Sequence, residues 1–260
     1  MAQSKEKKTP AVKSKQSLFG EFLVQIKLFG LVELKNQSGE IIENRSRQPL
    51  PWLLLKYLLV DPLREVDLYE LLDTIWPASE NGEELNAARV RLRRLRESLE
   101  PLNLGGRKGL ILYSDGKYSL NPLYEIKTDA DEFLKLIKQS QNYENNDPVG
   151  LQLCMQALEL YRGQYMECTE NAVWLDKYRS YYNREFSNLA RSIIDRSKTL
   201  QVNDLIKLLC QRTSAILPSD EKLHREIISY LMDQKMELEL MRHISRLTRS
   251  GQADWLEVEV

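Results

Sequence analysis

The sequence has few cysteines and histidines, which excludes several kinds of site. Its 260 residues include three cysteines, Cys154, Cys168 and Cys210, and two histidines, His224 and His243. An odd number of cysteines without Cys-x-x-Cys spacing argues against a disulfide framework and against a zinc site. We therefore expect no bound metal, a reducing cytoplasmic compartment, and histidines that are ordinary helix residues.

Long apolar runs and phosphate-binding motifs are also missing. No apolar stretch approaches the roughly 20 residues that a membrane-spanning helix needs, so no membrane association is expected. The glycine-rich run Gly105–Gly109 lacks the spacing and the following Ser or Thr of a nucleotide-binding loop. Acid pairs such as Glu83-Glu84 have no accompanying nucleophile. We expect a protein that is not an enzyme, with no catalytic residues and no cofactor.

Excess charge of one sign is absent as well. The net charge is -1, with 29% charged and 42% hydrophobic residues, which is typical of a soluble globular protein. Any attraction to nucleic acid must therefore be local. Residues 1–17 are rich in lysine and serine, and we predict that they form a disordered basic tail.

The most informative segment is Leu85–Leu99, which concentrates positive charge on one predicted helix. Apolar residues recur there at spacings of three and four, which predicts a single buried stripe; they are Leu85, Ala88, Leu92, Leu95 and Leu99. The segment also contains five arginines: Arg89, Arg91, Arg93, Arg94 and Arg96. At roughly 100° per residue, Val90, Arg93 and Arg94 point away from the stripe and Arg91 lies at their edge.

Such a helix suits the major groove of DNA, where arginine pairs bidentately with guanine or with phosphate. The alternative is a solvated, coiled-coil-like face, which normally interleaves glutamate with its basic residues. Glu97 is the only acid in Leu85–Leu99, so the alternative is weakened but stays open.

The first half of the chain predicts an α+β winged helix-turn-helix domain over residues 18–125. The stretch Phe22–Leu34 is strand-like, with Gly30 as a bulge or a point of close approach, and Ile41-Ile42 is a short returning strand. Two helices follow, Pro51–Val60 and Asp67–Trp76, the second with Asp67 as N-cap. The arginine helix follows in the position of the DNA-reading helix, and a hairpin at residues 110–120 follows it in the position of the wing.

The second half, residues 128–260, predicts an all-α, tetratricopeptide-like helical-repeat domain. Short loops join the expected helices, which suggests stacked helical hairpins. We place these helices at Ala130–Gln141, Pro148–Leu160, Ala172–Leu200, Val202–Leu217, Ser219–Gln234 and Lys235–Ser250. Ser219 is the expected N-cap of its helix, and Gly251 is the expected stop of the last one.

Aromatic residues gather between residues 161 and 186 of this second half. They are Tyr161, Tyr165, Trp174, Tyr178, Tyr181, Tyr182 and Phe186. Their helical spacing favours packing between hairpins over a ligand cage, and some of them suit a dimer surface.

In sequence order, these segments resemble the SARP-type bacterial transcription regulators. The resemblance in the first half rests on Leu28-Phe29-Gly30, on Val66–Pro77 with its Ile75-Trp76-Pro77 ending, and on the arginine run. These look like an OmpR-type winged helix. Asp129–Phe133, Leu158–Gly163, Trp174-Leu175 and Tyr178-Arg179 look like the bacterial transcriptional activation domain that follows it.

The resemblance implies a set of partners and site residues. It implies promoter DNA bound by the first domain, commonly as tandem copies, and a helical domain that contacts RNA polymerase and a second copy in a homodimer. Val90, Arg91 and Arg94 match base-facing positions, and Arg93 and Arg96 match backbone-contacting positions. The hairpin matches the wing, but Ser114 stands where an arginine is frequent and Asp115 adds negative charge, which leaves Lys117 near the tip.

The sequence thus predicts a sequence-specific, DNA-binding transcription regulator, with an activator as the expected type. The second hypothesis is a helical-repeat scaffold or adaptor whose winged helix binds protein, with the arginines meeting acidic partners. Target promoters and any sensed signal are not encoded in a readable motif.

Overall fold

The computed structural model describes residues 22–43, 49–76, 84–102, 109–167, 169, 172–203, 205–251 and 255. The predicted basic tail, Cys168, and the loops on either side of the arginine helix at residues 77–83 and 103–108 lie outside the described residues.

A four-stranded sheet opens the described chain. It contains β1 (Phe22–Lys27), β2 (Glu33–Asn36), β3 (Ile41–Glu43) and the later strand β7 (Tyr124–Thr128), in the order β3-β2-β1-β7. The β1–β2 and β2–β3 pairs are antiparallel, whereas β1 and β7 are parallel. The predicted single strand Phe22–Leu34 is wrong, because Gly30 adopts φ 90° and the chain reverses around it.

Three helices and a hairpin follow, in the predicted order. The helices are α1 (Pro49–Leu59), α2 (Leu68–Thr74) and α3 (Glu84–Leu99), and the hairpin strands are β5 (Ile111–Ser114) and β6 (Lys117–Leu120). A short strand, β4 (Val66–Asp67), pairs with β6 and completes a second sheet in the order β4-β6-β5. This arrangement is compatible with a winged helix, and the predicted N-cap Asp67 is confirmed by its bond from the Glu70 N–H.

The remaining described chain is helical. Its elements are α4 (Asp129–Ser140), α5 (Pro148–Leu160), α6 (Val173–Leu200), α7 (Ile206–Ile216), α8 (Glu221–Asp233) and α9 (Glu237–Ser250). Successive helices pack as neighbours, with α4 on α5, α5 on α6, and α8 on α9, which is compatible with the predicted helical domain. The predicted cap Ser219 is wrong: Asp220 accepts from the Leu223 N–H, and its carboxylate also accepts from the Ser187 hydroxyl, which fixes the helix start one residue later.

The two halves meet through backbone and side chains rather than through a loose linker. Gly30 donates to the Gln164 carbonyl over 3.0 Å, and Met166 donates to the Leu28 carbonyl over 2.7 Å. A Cβ added to Gly163 would lie 3.0 Å from the Gly30 Cα, so the backbones approach closely there. The close approach predicted for Gly30 is thus observed.

Buried aromatic rings continue this junction into the core. Phe29 is 1% exposed, and its ring centroid lies 4.2 Å from that of Tyr161 and 5.2 Å from that of Phe133. Tyr161 in turn stacks on Phe186 of α6 at 4.3 Å. Aromatic pairs of this kind contribute about 0.5–1.5 kcal/mol each beyond their burial. Helix packing, as predicted, is the role of this part of the aromatic cluster.

A buried carboxylate, Asp129, lies beside these rings at the start of α4. It accepts hydrogen bonds from the Leu28 N–H at 2.6 Å, the Phe29 N–H at 3.3 Å and the Arg162 guanidinium at 2.9 Å. Burial raises the pKa of this carboxyl to about 6, although all three donors favour its charged form. The turn after β1 is therefore tied to α4 and to the end of α5 by one side chain.

The two histidines form a buried pair between α8 and α9, which the sequence did not predict. His224 Nε2 lies 2.8 Å from the Leu217 carbonyl, and His224 Nδ1 lies 3.1 Å from His243 Nε2. Because a carbonyl only accepts, His224 Nε2 carries a proton and its neutral Nδ1 accepts from His243. Burial lowers the pKa of both rings, that of His243 to about 3.

This pair makes stability depend on pH. Below pH 6.5 the two histidines bind protons in the unfolded chain but stay neutral in the folded pair. The free energy of unfolding therefore falls as pH falls. Between pH 7 and pH 5 we expect the free energy of unfolding of His243→Gln to fall by about 2 kcal/mol less than that of wild type. The glutamine amide can still donate a hydrogen bond to His224. Urea unfolding at both pH values measures the difference, with the exposed α9 variant Arg249→Gln as control. An unchanged pH dependence in His243→Gln would contradict the depressed pKa.

Candidate nucleic-acid interface

The helix α3 has one buried and one exposed face, as its periodicity predicts. Ala88, Leu92, Leu95 and Leu99 are at most 7% exposed. They pack towards α1 and α2, while the helix continues into a short 3-10 turn whose Leu102 is also buried. Anchored in this way, α3 presents its other face to solvent.

That outer face is basic. Val90 is 40% exposed, and Arg89, Arg93, Arg94 and Arg96 are exposed as well. Glu97 is exposed on the same helix and pairs with Arg93, with 3.3 Å between the Nε and Oε1 atoms. Arginines thus outnumber acids on this face, and their guanidinium groups present planar donor pairs to whatever binds there.

Arg91 differs from the other arginines because it is half-buried against α2. Its guanidinium carbon lies 5.3 Å from the ring centroid of Trp76, a cation–π distance. Burial lowers the pKa of this guanidinium. The sequence placed Arg91 at the edge of the exposed face, but the contact with Trp76 was not predicted.

Arg96 connects the helix to the hairpin. Its Nη2 donates to the Ile111 carbonyl of β5 over 3.4 Å, and its charge opposes the rise in the Tyr118 pKa that burial causes. A side chain that bonds the hairpin and remains exposed can fix the angle between α3 and the hairpin. This second role of Arg96 has no signal in the local sequence.

The hairpin tip carries little net positive charge. Asp115 and Gly116 both have positive φ, 52° and 82°, as a tight two-residue hairpin turn requires. The Ser114 hydroxyl donates to the Asp115 carboxylate over 3.2 Å. Lys117 pairs with Glu65, which precedes β4, at 3.3 Å. The one cation predicted for the tip is therefore partly neutralised by an acid that the sequence analysis did not consider.

Three further features of the described residues concern metals, thiols and membranes. Within them, no three His, Cys, Asp or Glu side chains are placed to hold a metal ion. Cys154 and Cys210 are buried free thiols. None of the described helices combines the length and the apolar character needed to cross a membrane.

Comparison with known proteins gives one informative likeness. No protein-family model matches the chain, and no curated protein sequence matches it. Among solved structures, the chain is similar to EmbR from Mycobacterium tuberculosis, determined in complex with a low-affinity phosphopeptide. The TM-score is 0.63, the identity is 13%, and the alignment covers 90% of this chain.

The chain spans 61% of the length of that EmbR structure. At this identity the likeness establishes the fold, which extends over both the strand-rich first half and the helical second half. The architecture of the described residues is compatible with a winged helix followed by a helical domain.

The Arg91–Trp76 contact predicts a measurable effect on folding. We expect Arg91→Ala to lower the free energy of unfolding by about 0.5–2 kcal/mol, since it removes a half-buried cation from an indole face. The exposed Arg89→Ala is the matched control on the same helix and should change it by less than about 0.5 kcal/mol. Guanidinium denaturation followed by tryptophan fluorescence measures both variants, and equal stabilities would show that the contact contributes nothing.

Proposed function

We propose that this protein is a sequence-specific DNA-binding transcription regulator that reads double-stranded promoter DNA with α3. The observation that carries the proposal is the arginine-rich outer face of α3, which is anchored by a buried leucine stripe and flanked by the β5–β6 hairpin. The fold likeness to EmbR, a transcription regulator, supports the same class.

In this proposal some residues of α3 contact the bases and others contact the phosphate backbone. Val90, Arg91 and Arg94 face the bases, where arginine pairs with guanine O6 and N7 and valine contacts a thymine methyl group. Arg93 and Arg96 contact the phosphate backbone and set the register. Because Arg91 is held over Trp76, its guanidinium is preorganised, which reduces the entropy lost on binding.

The helical half is proposed to make the protein contacts, with RNA polymerase and with a second copy in a homodimer or in tandem on DNA. An apolar stripe on the outer side of α9 supports such contacts, because Leu238 and Met241 are 55% and 61% exposed and Ile244 is 37% exposed. Joining two DNA-binding units raises their effective concentration on repeated sites. An activator in the bacterial cytoplasm is the expected type.

The second candidate, an adaptor whose basic helix binds an acidic protein, is favoured by the Lys117–Glu65 pair, which weakens the hairpin as a DNA contact. Selection from a random DNA pool with the full chain distinguishes the two. A regulator enriches a defined motif and binds it with an affinity that falls steeply with salt, by a slope of about -0.9 for each phosphate neutralised. Recovery of no motif would favour the adaptor.

Substitutions on α3 test the division between base and backbone contacts. We expect Arg94→Ala to cost roughly 1–3 kcal/mol on the selected motif and to relax base preference at one position. Arg93→Ala should weaken the motif and a scrambled duplex equally and reduce the salt slope by about one. Arg184→Ala, an exposed arginine of α6, is the control and should change neither. Fluorescence anisotropy measures all four proteins, and an equal loss on both duplexes for Arg94→Ala would remove it from base reading.

Glu65→Gln tests the hairpin. Removing this carboxylate releases Lys117, so DNA affinity should rise by about two- to fivefold and the salt slope should steepen by up to about one. Glu125→Gln, which breaks the comparable exposed pair of Glu125 with Lys127 on β7, is the matched control. If both variants bind DNA as wild type does, the hairpin lies away from the DNA.

A further inference from the structure

A deep cleft separates the winged-helix part from the helical half. Four regions line it: the end of α1 and the chain after it, with Leu59 and Leu63; the hairpin, with Leu112 and Ser119; β7 and the start of α4, with Asp131; and the segment of Tyr165 with α6. Its volume is about 1250 Å³, which exceeds the roughly 300–1,000 Å³ of typical small-molecule sites. Junctions between two structural units are common places for such sites.

Tyrosine rings dominate the α6 side of this cleft. Tyr165 and Tyr182 stack with their centroids 4.5 Å apart, and Tyr178 lies 6.5 Å from Tyr165. Tyr178 and Tyr182 are half-buried, and Tyr181 is 38% exposed. We call this wall, Tyr165, Tyr178, Tyr181 and Tyr182, the tyrosine wall. Electron-rich tyrosine faces attract cations, and Lys177 and Arg184 already lie 4.8 and 5.4 Å from the ring centroids of Tyr178 and Tyr181.

The Tyr165 hydroxyl makes no hydrogen bond with the described residues and is not fully sealed from solvent. Tyr165 is 2% exposed and lines the cleft, yet within the described part of the chain no group makes a hydrogen bond with its hydroxyl. Burial, together with negative charge nearby, raises the pKa of Tyr165, so the group stays a neutral donor. An occupant with an acceptor atom would satisfy it.

Charges of both signs line the cleft, since Glu65, Glu125 and Asp131 are acidic and Lys177 is basic. Glu65 and Glu125 are paired with Lys117 and Lys127, which leaves Asp131 as a carboxylate with no basic side chain within ion-pair distance among the described residues. Asp131 accepts from the Thr128 hydroxyl over 2.6 Å and retains further acceptor capacity. The negative charge of Asp131 acts on Tyr165 and Tyr182, so a cation or a charged donor fits beside these two rings.

We propose that this cleft binds a small, planar aromatic cation that stacks on the tyrosine wall, accepts from the Tyr165 hydroxyl and places its positive charge near Asp131. The sequence favoured packing over a ligand cage for these tyrosines. Tyr161 and Phe186 do pack in the core, whereas Tyr178, Tyr181 and Tyr182 remain partly exposed beside the cleft.

An occupant of the cleft would also contact the hairpin, because Leu112, Ser114 and Ser119 line the opposite side. Bound ligand would then shift the hairpin relative to α6 and change DNA affinity. This consequence rests on the proposed function, whereas ligand binding itself does not.

Rhodamine 6G, a planar monocation with ester and ring oxygens, is a suitable probe for the full chain without DNA. Fluorescence anisotropy should show saturable binding in the micromolar range, and fluorescein, an anion with the same ring system, should bind at least about tenfold more weakly. Asp131→Asn should weaken rhodamine 6G binding by about fivefold, and Tyr178→Ala by about tenfold. Tyr165→Phe, which retains the ring, should weaken it by about threefold or more.

Tyr69→Ala, which removes an 82% exposed tyrosine of α2 outside the cleft, is the control and should bind as wild type does. Absence of saturable binding, equal binding of fluorescein, or unchanged affinity in the Tyr165, Tyr178 and Asp131 variants would each overturn the proposal. A repeat with the selected DNA duplex present measures the effect on DNA affinity. If no motif is selected, the proposed function fails while the dye titration still decides the ligand site.

Discussion

The carboxylate of Asp129 is the interaction on which the arrangement of the two halves depends. It joins the backbone after β1, the first turn of α4 and the guanidinium of Arg162 at the end of α5. Isolation of such a charge from water is costly, and its raised pKa reflects that cost. Two backbone donors and one guanidinium offset it, and because they come from distant parts of the chain, they define one relative position for the sheet and the helices.

The aromatic core adds further contacts between the sheet and the helical half to those made by Asp129. With the Leu28 and Phe29 amides held, the Phe29 ring enters the space between Tyr161 and Phe133. The sheet therefore packs on the helical half as an integral surface, and the hairpin is brought opposite α6. The cleft with its tyrosine wall lies between these two surfaces.

Local pairing decides how a nearly neutral protein can present a basic surface. Glu97 moderates Arg93, Glu65 moderates Lys117, and Trp76 supports Arg91 without neutralising it. The positive charge is thereby concentrated on the outer face of α3, and Coulomb attraction at this face falls off within about a Debye length, roughly 8–10 Å at physiological salt. Recognition by such a surface depends on close contact more than on long-range attraction.

The sequence by itself determined the features that depend on neighbours three or four residues apart. The buried stripe and exposed arginines of α3, the cap at Asp67 and the bounds of Pro148–Leu160 all follow from helical periodicity and capping chemistry. Tertiary structure alone decided the contacts between distant residues: Asp129 with Leu28, Arg91 with Trp76, Lys117 with Glu65 and His224 with His243. No local pattern encodes these pairs, because each forms only when the packing of several helices and strands brings its two partners together.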